Sequence, residues 1–410
     1  MSKKSDYIVG LDIGTTKICC IIGEVNHEGR VDIIGLGECP SRGLRKGVVV
    51  NIEGTVESIK SAVEKAELMA DCEIESVFVG IAGGHINSLD GHGIVKVKGK
   101  EIVQKDVDGV IEQAASIAIP LDREVIHVLP RHFIVDDHDG INTPLGMAGV
   151  RLEAKVHIVT AAVTSAQHIV KCVNKAGLHV QDIVLEQLAS SESVLSADEK
   201  ELGVAMIDIG GGTSDLAVFH HGSIEHTSAL TIAGAQMTND IAIGLRTPNQ
   251  EAEKIKHTHG CCFSAMVEDD EALEVQSLGS RETHLASRQI LGEILEARAR
   301  EMFEMLNHTI NKSGFREKIV SGIVLTGGAA RMPGMRELGE EVFQLHVRIG
   351  APTGIGGLVD VVDNPMYATG TGLIQYGMKS HKAGTIHELA GRHLFDKIFS
   401  RMKHWAEEFF

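Results

Sequence analysis

The sequence predicts an α/β fold of two similar halves facing one another across a cleft, and three observations predict it. First, an Asp-x-Gly loop between two β-rich runs occurs twice, as Asp12-Ile13-Gly14-Thr15-Thr16-Lys17 and as Asp208-Ile209-Gly210-Gly211-Gly212-Thr213-Ser214-Asp215. Second, a further glycine turn, Gly327-Gly328-Ala329-Ala330-Arg331-Met332-Pro333-Gly334, follows the strand-like run Ile323-Val324-Leu325-Thr326. Third, helical periodicities over 56–70, 166–176 and 285–311 alternate with the strands, which is the order of an α/β protein.

Taken along the chain, 7–11 and 18–25 flank the first loop and 204–207 and 216–219 flank the second. Each set reads as a β-hairpin whose turn is opened by an aspartate. Residues 85–165 read differently, with short strands over 93–97, 125–135 and 155–161 and a helix over 107–117, and are taken as an inserted subdomain. A helix is expected to open near Pro333, where the missing N–H is harmless. Residues 377–392, which hold Gly377, Ser380, Gly384, Thr385 and Gly391, read as a tether.

Composition bounds the function. The 410 residues exceed what one core usually organises, and 43% hydrophobic with 23% charged residues excludes disorder as the main state. A net charge of −17 without a Lys/Arg run argues against nucleic acid as a partner. The 7 cysteines lack C-x-x-C spacing and fit free thiols in a reducing cytoplasm. The polar start and the lack of a run of about 18 apolar residues predict a soluble cytosolic chain with no signal peptide.

The glycine loops carry the chemistry. Backbone N–H groups brought close by glycine, together with hydroxyls or a lysine and a carboxylate for Mg2+, are what a nucleotide polyphosphate needs. Thr15, Thr16, Thr213 and Ser214 offer hydroxyls, Lys17 offers charge, and Asp12 and Asp208 stand where a hydrated Mg2+ would sit. One such loop alone also fits an ordinary β-turn; the pair plus the third turn is the specific signal. Walker and G-x-G-x-x-G patterns do not match.

These segments resemble the five signature motifs of the actin, Hsp70 and sugar-kinase superfamily: the two phosphate loops at 12–17 and 208–215, connecting helices at 186–194 and 365–376, and an adenosine loop at 326–334. Over essentially its whole length the chain most closely resembles the FtsA family of bacterial cell-division proteins, on the stretches Val79-Gly80-Ile81-Ala82-Gly83-Gly84-His85-Ile86, Gly146-Met147-Ala148-Gly149-Val150-Arg151-Leu152-Glu153 and Asp240-Ile241-Ala242-Ile243-Gly244-Leu245-Arg246-Thr247-Pro248. The resemblance implies an actin-like fold. Subdomain 1A would span 1–84, completed by 166–197 and 361–376, with 1C at 85–165, 2A at 198–234 and 313–360, and 2B at 235–312.

It further implies that ATP and Mg2+ are bound. Asp12 and Asp208 would organise the cation through water; Gly14, Thr15, Thr16, Lys17, Gly210, Gly211, Gly212 and Thr213 would hold the phosphates; Gly327, Gly328 and Arg331 would border the adenosine. Glu253 and Lys256, three apart on one helix face, match the helix that meets ribose and base in relatives; an exposed ion pair is the plainer alternative. Glu186 matches the water-polarising carboxylate. Gln187 follows it where the family usually has proline, which leaves the placement of Glu186 and ATP turnover open.

The chain holds eleven Phe, three Tyr and one Trp, and Phe395, Phe399, Trp405, Phe409 and Phe410 crowd at its end. At the roughly 100° step of a helix, Leu394, Phe395, Ile398, Phe399, Met402, Trp405, Ala406, Phe409 and Phe410 fall within an arc of about 160°. Arg401 and Lys403 flank it, where long basic side chains lie along apolar surface. This suits a helix over 393–410 lying in a bilayer interface; the alternative is a terminal helix docked on its own domain. Positions 393–410 carry no net charge, so burial would dominate binding to anionic lipid.

The family resemblance implies further that the protein polymerises with itself on the cytoplasmic face of the inner membrane at the division site. It would anchor the FtsZ ring by binding the FtsZ C-terminal tail on 2B, with 285–311 as the expected surface, and recruit later division proteins. A pilus-assembly relative and an actin-fold sugar kinase are the alternatives. An Hsp70-like chaperone lacks room for a peptide-binding domain.

Overall fold

The computed structural model describes residues 7–386 apart from 28, 269–270 and 280–281. Strands β1 (Tyr7–Ile13) and β2 (Lys17–Val25) form the first expected hairpin, antiparallel from Tyr7 opposite Glu24 to Ile13 opposite Ile18. β3 (Val31–Pro40) continues the meander, and a small hairpin of β4 (Leu44–Arg45) and β5 (Val48–Val49) leads into α1 (Ile52–Ala70). This helix starts before the apolar periodicity because the Asn51 side chain accepts the N–H of Gly54 and caps it. β6 (Ser76–Ile81) then lies parallel to β1.

The inserted unit follows: β7 (Asn87–Lys96), α2 (Gln104–Ala115), β8 (Arg123–Val135), β9 (His138–Ile141) and β10 (Arg151–Ala162). Its strands form one sheet in the order β7-β10-β8-β9, and Val107, Val110 and Ala114 of α2 cover a separate core with Leu152, Ala154 and Val156. The strands are longer than their apolar cores suggested, because pairing continues through Lys96 opposite Arg151 into polar residues. Then come α3 (Val163–Lys175), β11 (His179–Leu185), α4 (Glu186–Val194) and α5 (Ala197–Leu202).

The second half opens with β12 (Val204–Ile209) and β13 (Ser214–His220), the second expected hairpin, followed by β14 (Ser223–Leu230). Helices α6 (Gly234–Gly244) and α7 (Asn249–His259), the hairpin of β15 (Ala272–Gln276) and β16 (Thr283–Ser287), and α8 (Arg288–Ser313) come next. β17 (Ile323–Thr326), α9 (Met335–Phe343), β18 (Val347–Ile349), β19 (Gly356–Gly357), α10 (Val359–Val362) and α11 (Ala368–Ile386) complete the described chain. The two large sheets repeat one plan. β3-β2-β1-β6-β11 in the first half corresponds to β14-β13-β12-β17-β18 in the second, each a three-stranded meander extended by parallel strands. The duplicated hairpin in the sequence is therefore a duplicated sheet.

Two expectations are corrected. The helix expected from Leu285 begins at Arg288: Leu285 sits in β16 opposite Glu274, and Ser287 caps the helix by accepting the N–H of Gln289. Residues 377–386, read as a tether, continue α11. Its glycines looked like breakers, yet they serve close approach: a β-carbon on Gly372 would stand 1.9 Å from the Ala189 carbonyl of α4, and one on Gly377 would lie 2.6 Å from the Phe78 ring. The rest of the expected tether and the whole of 393–410 lie outside the described residues.

The Gly372 contact makes a stability test. Alanine favours an isolated helix by up to about 1 kcal/mol, but here its methyl meets a backbone oxygen that cannot swing away. Gly372→Ala is expected to destabilise by about 1–3 kcal/mol in urea unfolding.

Candidate nucleotide cleft

Each Asp-x-Gly turn closes its own hairpin, and the two turns meet. A β-carbon on Gly211 would lie 2.4 Å from Thr16 Cγ2, and one on Gly212 would lie 2.4 Å from Thr15 Oγ1. Only glycine allows the loops this contact, so the residues chosen for phosphate approach are brought together at the junction of the halves. Thr15 Oγ1 also accepts the Gly47 N–H at 3.0 Å, which ties the β4–β5 hairpin to the first loop. On the second loop the Gly210 and Gly211 carbonyls accept N–H groups from Gly234 and Ala235 at the start of α6.

Four carboxylates gather beneath the loops. Asp12 ends β1, Asp208 sits in β12, Asp215 sits opposite it in β13, and Glu186 opens α4. Asp12, Asp208 and Asp215 are buried. Burial pushes Asp12 up to about 6, with Lys17 opposing and Asp208 adding to the rise. Asp215 rises to about 7 through burial, opposed by a hydrogen bond from Thr213 and reinforced by Asp208. Asp208 is raised by burial against hydrogen bonds from Ser190 and Thr369. Glu186 is pushed well above the ordinary range by burial and by Asp12, Asp215 and Asp208 together. Crowded, desolvated carboxylates are an arrangement that a cation relieves. The donors are all oxygen, as a hard cation prefers. Among the described residues there is no group of three or more His, Cys, Asp or Glu placed to hold a metal ion directly.

Lys17 is anchored beside the first loop: its Nζ donates to the Met366 carbonyl at 3.0 Å, lies 3.4 Å from Glu38 Oε1 and sits 4.3 Å above the centre of the Tyr367 ring. Glu253 and Lys256 on α7 are not the exposed pair of the plainer reading. Lys256 is buried and donates to Glu253 at 2.7 Å, to Thr238 Oγ1 at 2.7 Å and to the Gly234 carbonyl at 3.1 Å, next to the second loop. In the third turn, Gly327 (φ 86) packs against Asp208: a β-carbon there would be 2.3 Å from Asp208 Oδ1. Gly328 is open, with only Met366 Cβ at 3.9 Å, and Arg331 is exposed beside the Met366 sulfur.

A protein of Pseudomonas aeruginosa named cell division protein FtsA is 48% identical over 405 residues, covering 98% of this chain and 97% of its own. The chain belongs to the FtsA family. Its namesake in Escherichia coli is 43% identical over 393 residues and covers 94% of both chains. Two FtsA family models match the sequence, that of the cell division protein over 205–372 and that of the SHS2 domain inserted in FtsA over 83–160, where the structure has its separate four-stranded unit. Solved structures share the fold. The PilM–PilN type IV pilus biogenesis complex matches with a TM-score of 0.65 at 16% identity over 90% of this chain and 98% of that one. MreB5 of Spiroplasma citri bound to ADP matches with a TM-score of 0.56 at 14% identity over 93% and 98%. At such identities they speak for the actin-like fold alone. Among the described residues no helix is long and apolar enough to cross a membrane.

Within this FtsA-family cleft, Gly80, Ser190 and Thr369 join the carboxylates without a sequence motif that marks them, and Gln187 takes a defined place beside Glu186. Gly80 lies under Glu186: a β-carbon there would be 3.2 Å from its Oε1. Gln187 is fully buried and gives its Nε2 to Asp215 Oδ1 at 3.2 Å, while its Oε1 has no hydrogen-bond partner. Ser190 and Thr369 both reach Asp208 Oδ2, at 2.7 and 3.3 Å. Their signals were a small residue inside a family-specific stretch and hydroxyls in helices of weak amphipathicity, and nothing in the spacing pointed to a carboxylate far along the chain.

Proposed function

We propose that this chain binds Mg2+–ATP between its two Asp-x-Gly loops, polymerises, and tethers the FtsZ ring to the cytoplasmic face of the inner membrane. The observation that carries the nucleotide reading is the meeting of glycine loops from both halves, each led into by a strand that carries a buried carboxylate, Asp12 or Asp208. Asp12 and Asp208 would hold a Mg2+ that keeps its waters, and the loop N–H groups with Thr15, Thr16 and Thr213 would take the phosphates. The cation would supply charge to the phosphate oxygens. Gly328 and Arg331 would line the adenosine side, with Glu253 and Lys256 opposite. Glu186, held over Gly80 with its carboxyl raised by burial and by the neighbouring acids, would polarise a water with the bound cation offsetting those charges. Phosphate release unchanged in Asp208→Ala would exclude this cleft as its source.

Membrane attachment rests on the amphipathic pattern of 393–410. One such helix binds reversibly, and a filament presenting many gains avidity without new contacts, so polymerisation and anchoring support each other. Trp405→Glu is expected to move most of the protein from the liposome pellet to the supernatant, and co-sedimentation unaffected by it would refute the tail reading. FtsZ tail peptide is expected to bind on 235–312, and later division proteins on the inserted unit. Electron microscopy on lipid monolayers with ATP, with and without FtsZ, tests the whole reading. Filaments on the lipid are expected; free, unpolymerised protein in every condition would overturn it.

A further inference from the structure

We propose that Ser190 and Thr369 are positioning residues that set the Asp208 carboxylate for its cation, an inference that rests on the Mg2+–ATP reading of the cleft. Ser190 comes from α4 and Thr369 from the first turn of α11, and both are buried. Ser190 Oγ donates to Asp208 Oδ2 at 2.7 Å; Thr369 Oγ1 lies 2.9 Å from Ser190 Oγ and 3.3 Å from the same Oδ2. A hydroxyl carries a single proton. With the Ser190 proton given to Oδ2, that of Thr369 goes to Ser190 or to Oδ2, and either arrangement fixes one carboxylate oxygen on the helix side.

The other oxygen, Oδ1, takes no part in this triangle and points at Gly327, where a β-carbon would come within 2.3 Å. Only a residue without a side chain leaves that oxygen room. The hydroxyls themselves are held rigidly, because α4 and α11 meet backbone to backbone at Ala189 and Gly372, beside both of them. Donors that favour an ionised carboxylate in a buried site also make it the better partner for a cation's waters. The triangle joins both connecting helices to the strand end that carries Asp208, so the carboxylate is set by groups from α4, α11 and β12 at once.

The test measures affinity for a fluorescent ATP analogue against free Mg2+, and again with the metal chelated. Thr369→Val, nearly isosteric, carries it, with Ser190→Ala, the double variant and Thr369→Ser beside it, each checked for a cooperative melt. The half-saturating Mg2+ is expected to rise about tenfold on loss of either hydroxyl, as for a lost charge-assisted hydrogen bond. It should rise further in the double variant and stay near the parent value in Thr369→Ser, while affinity without metal changes less than about twofold. An unchanged Mg2+ midpoint in Thr369→Val and the double variant overturns the inference. So does an affinity that falls equally with and without metal, which is the mark of lost helix packing. An unchanged midpoint in the variants of a parent that binds Mg2+–ATP overturns the inference alone; nucleotide binding without Mg2+ dependence in the parent overturns the metal part of the cleft reading with it, and no nucleotide binding at all overturns that reading whole.

Discussion

Asp215→Asn makes the nucleotide-free protein more stable at about pH 8 by about 2–4 kcal/mol, and the gain vanishes below about pH 4. The sign follows from where the proton sits. Burial raises the Asp215 carboxyl from 3.8 to about 7, so between these values the folded chain holds a proton that the unfolded chain has released. Stability therefore falls as pH rises through that window. Below it both states are protonated and the penalty is absent; above it the penalty is complete. Asparagine keeps the shape, keeps an oxygen for the Gln187 amide now 3.2 Å away, and carries no charge to desolvate. Urea unfolding of the two proteins across this range measures it, and equal midpoints at the alkaline end would contradict the burial assigned to Asp215.

A second large effect lies between the inserted unit and the second half. Arg131 on β8 spans to β14. Its guanidinium donates to the Glu225 carbonyl, lies 3.3 Å from the Glu225 carboxylate, 2.7 Å from Asp90 and 3.1 Å from His157 Nδ1, and is 9% exposed against 11% for Glu225. Ser223 Oγ returns a hydrogen bond to the Arg131 carbonyl at 2.8 Å, and Thr227 meets His157 Nε2 at 2.9 Å. Arg131→Ala leaves the Glu225 carboxylate buried without its counter-charge, and a broken buried pair costs about 3–5 kcal/mol. The expected readout is faster hydrogen exchange in β14 and β8 with the α9–β18 end of the second half unchanged. Arg131→Met combined with Glu225→Leu should recover much of the loss, because replacing both partners removes the stranded charge. Uniform destabilisation of the whole chain would contradict a localised dock.

The hairpins around Asp12 and Asp208 were legible because a glycine turn between β-rich runs is decided locally, and α4 begins and ends where the connecting helix was expected. α8 was not, because Leu285 is an exposed apolar residue in a short hairpin whose spacing happens to continue the helical period. α11 was lost beyond residue 376 for the opposite reason: its glycines are breakers by propensity, and only the packed neighbours Ala189 and Phe78 reveal why they are needed. In the site, Asp12, Asp208 and the glycines were readable as a motif. Ser190, Thr369 and Gly80 act on carboxylates more than ten and up to 161 positions away in the chain, a relation that no local pattern encodes.

If the paired aspartates make a Mg2+–ATP site, equilibrium binding of Mg2+–ATP to Asp12→Asn/Asp208→Asn must differ from that of the parent protein. Removing two desolvated carboxylates should leave the nucleotide-free fold at least as stable at alkaline pH, since both groups are raised by burial, so a loss of binding will not be a loss of folding. Tight binding by the parent is expected, with a loss of at least about tenfold in the variant, a difference abolished when the metal is chelated. Equal Mg2+–ATP affinity in the two proteins would contradict it.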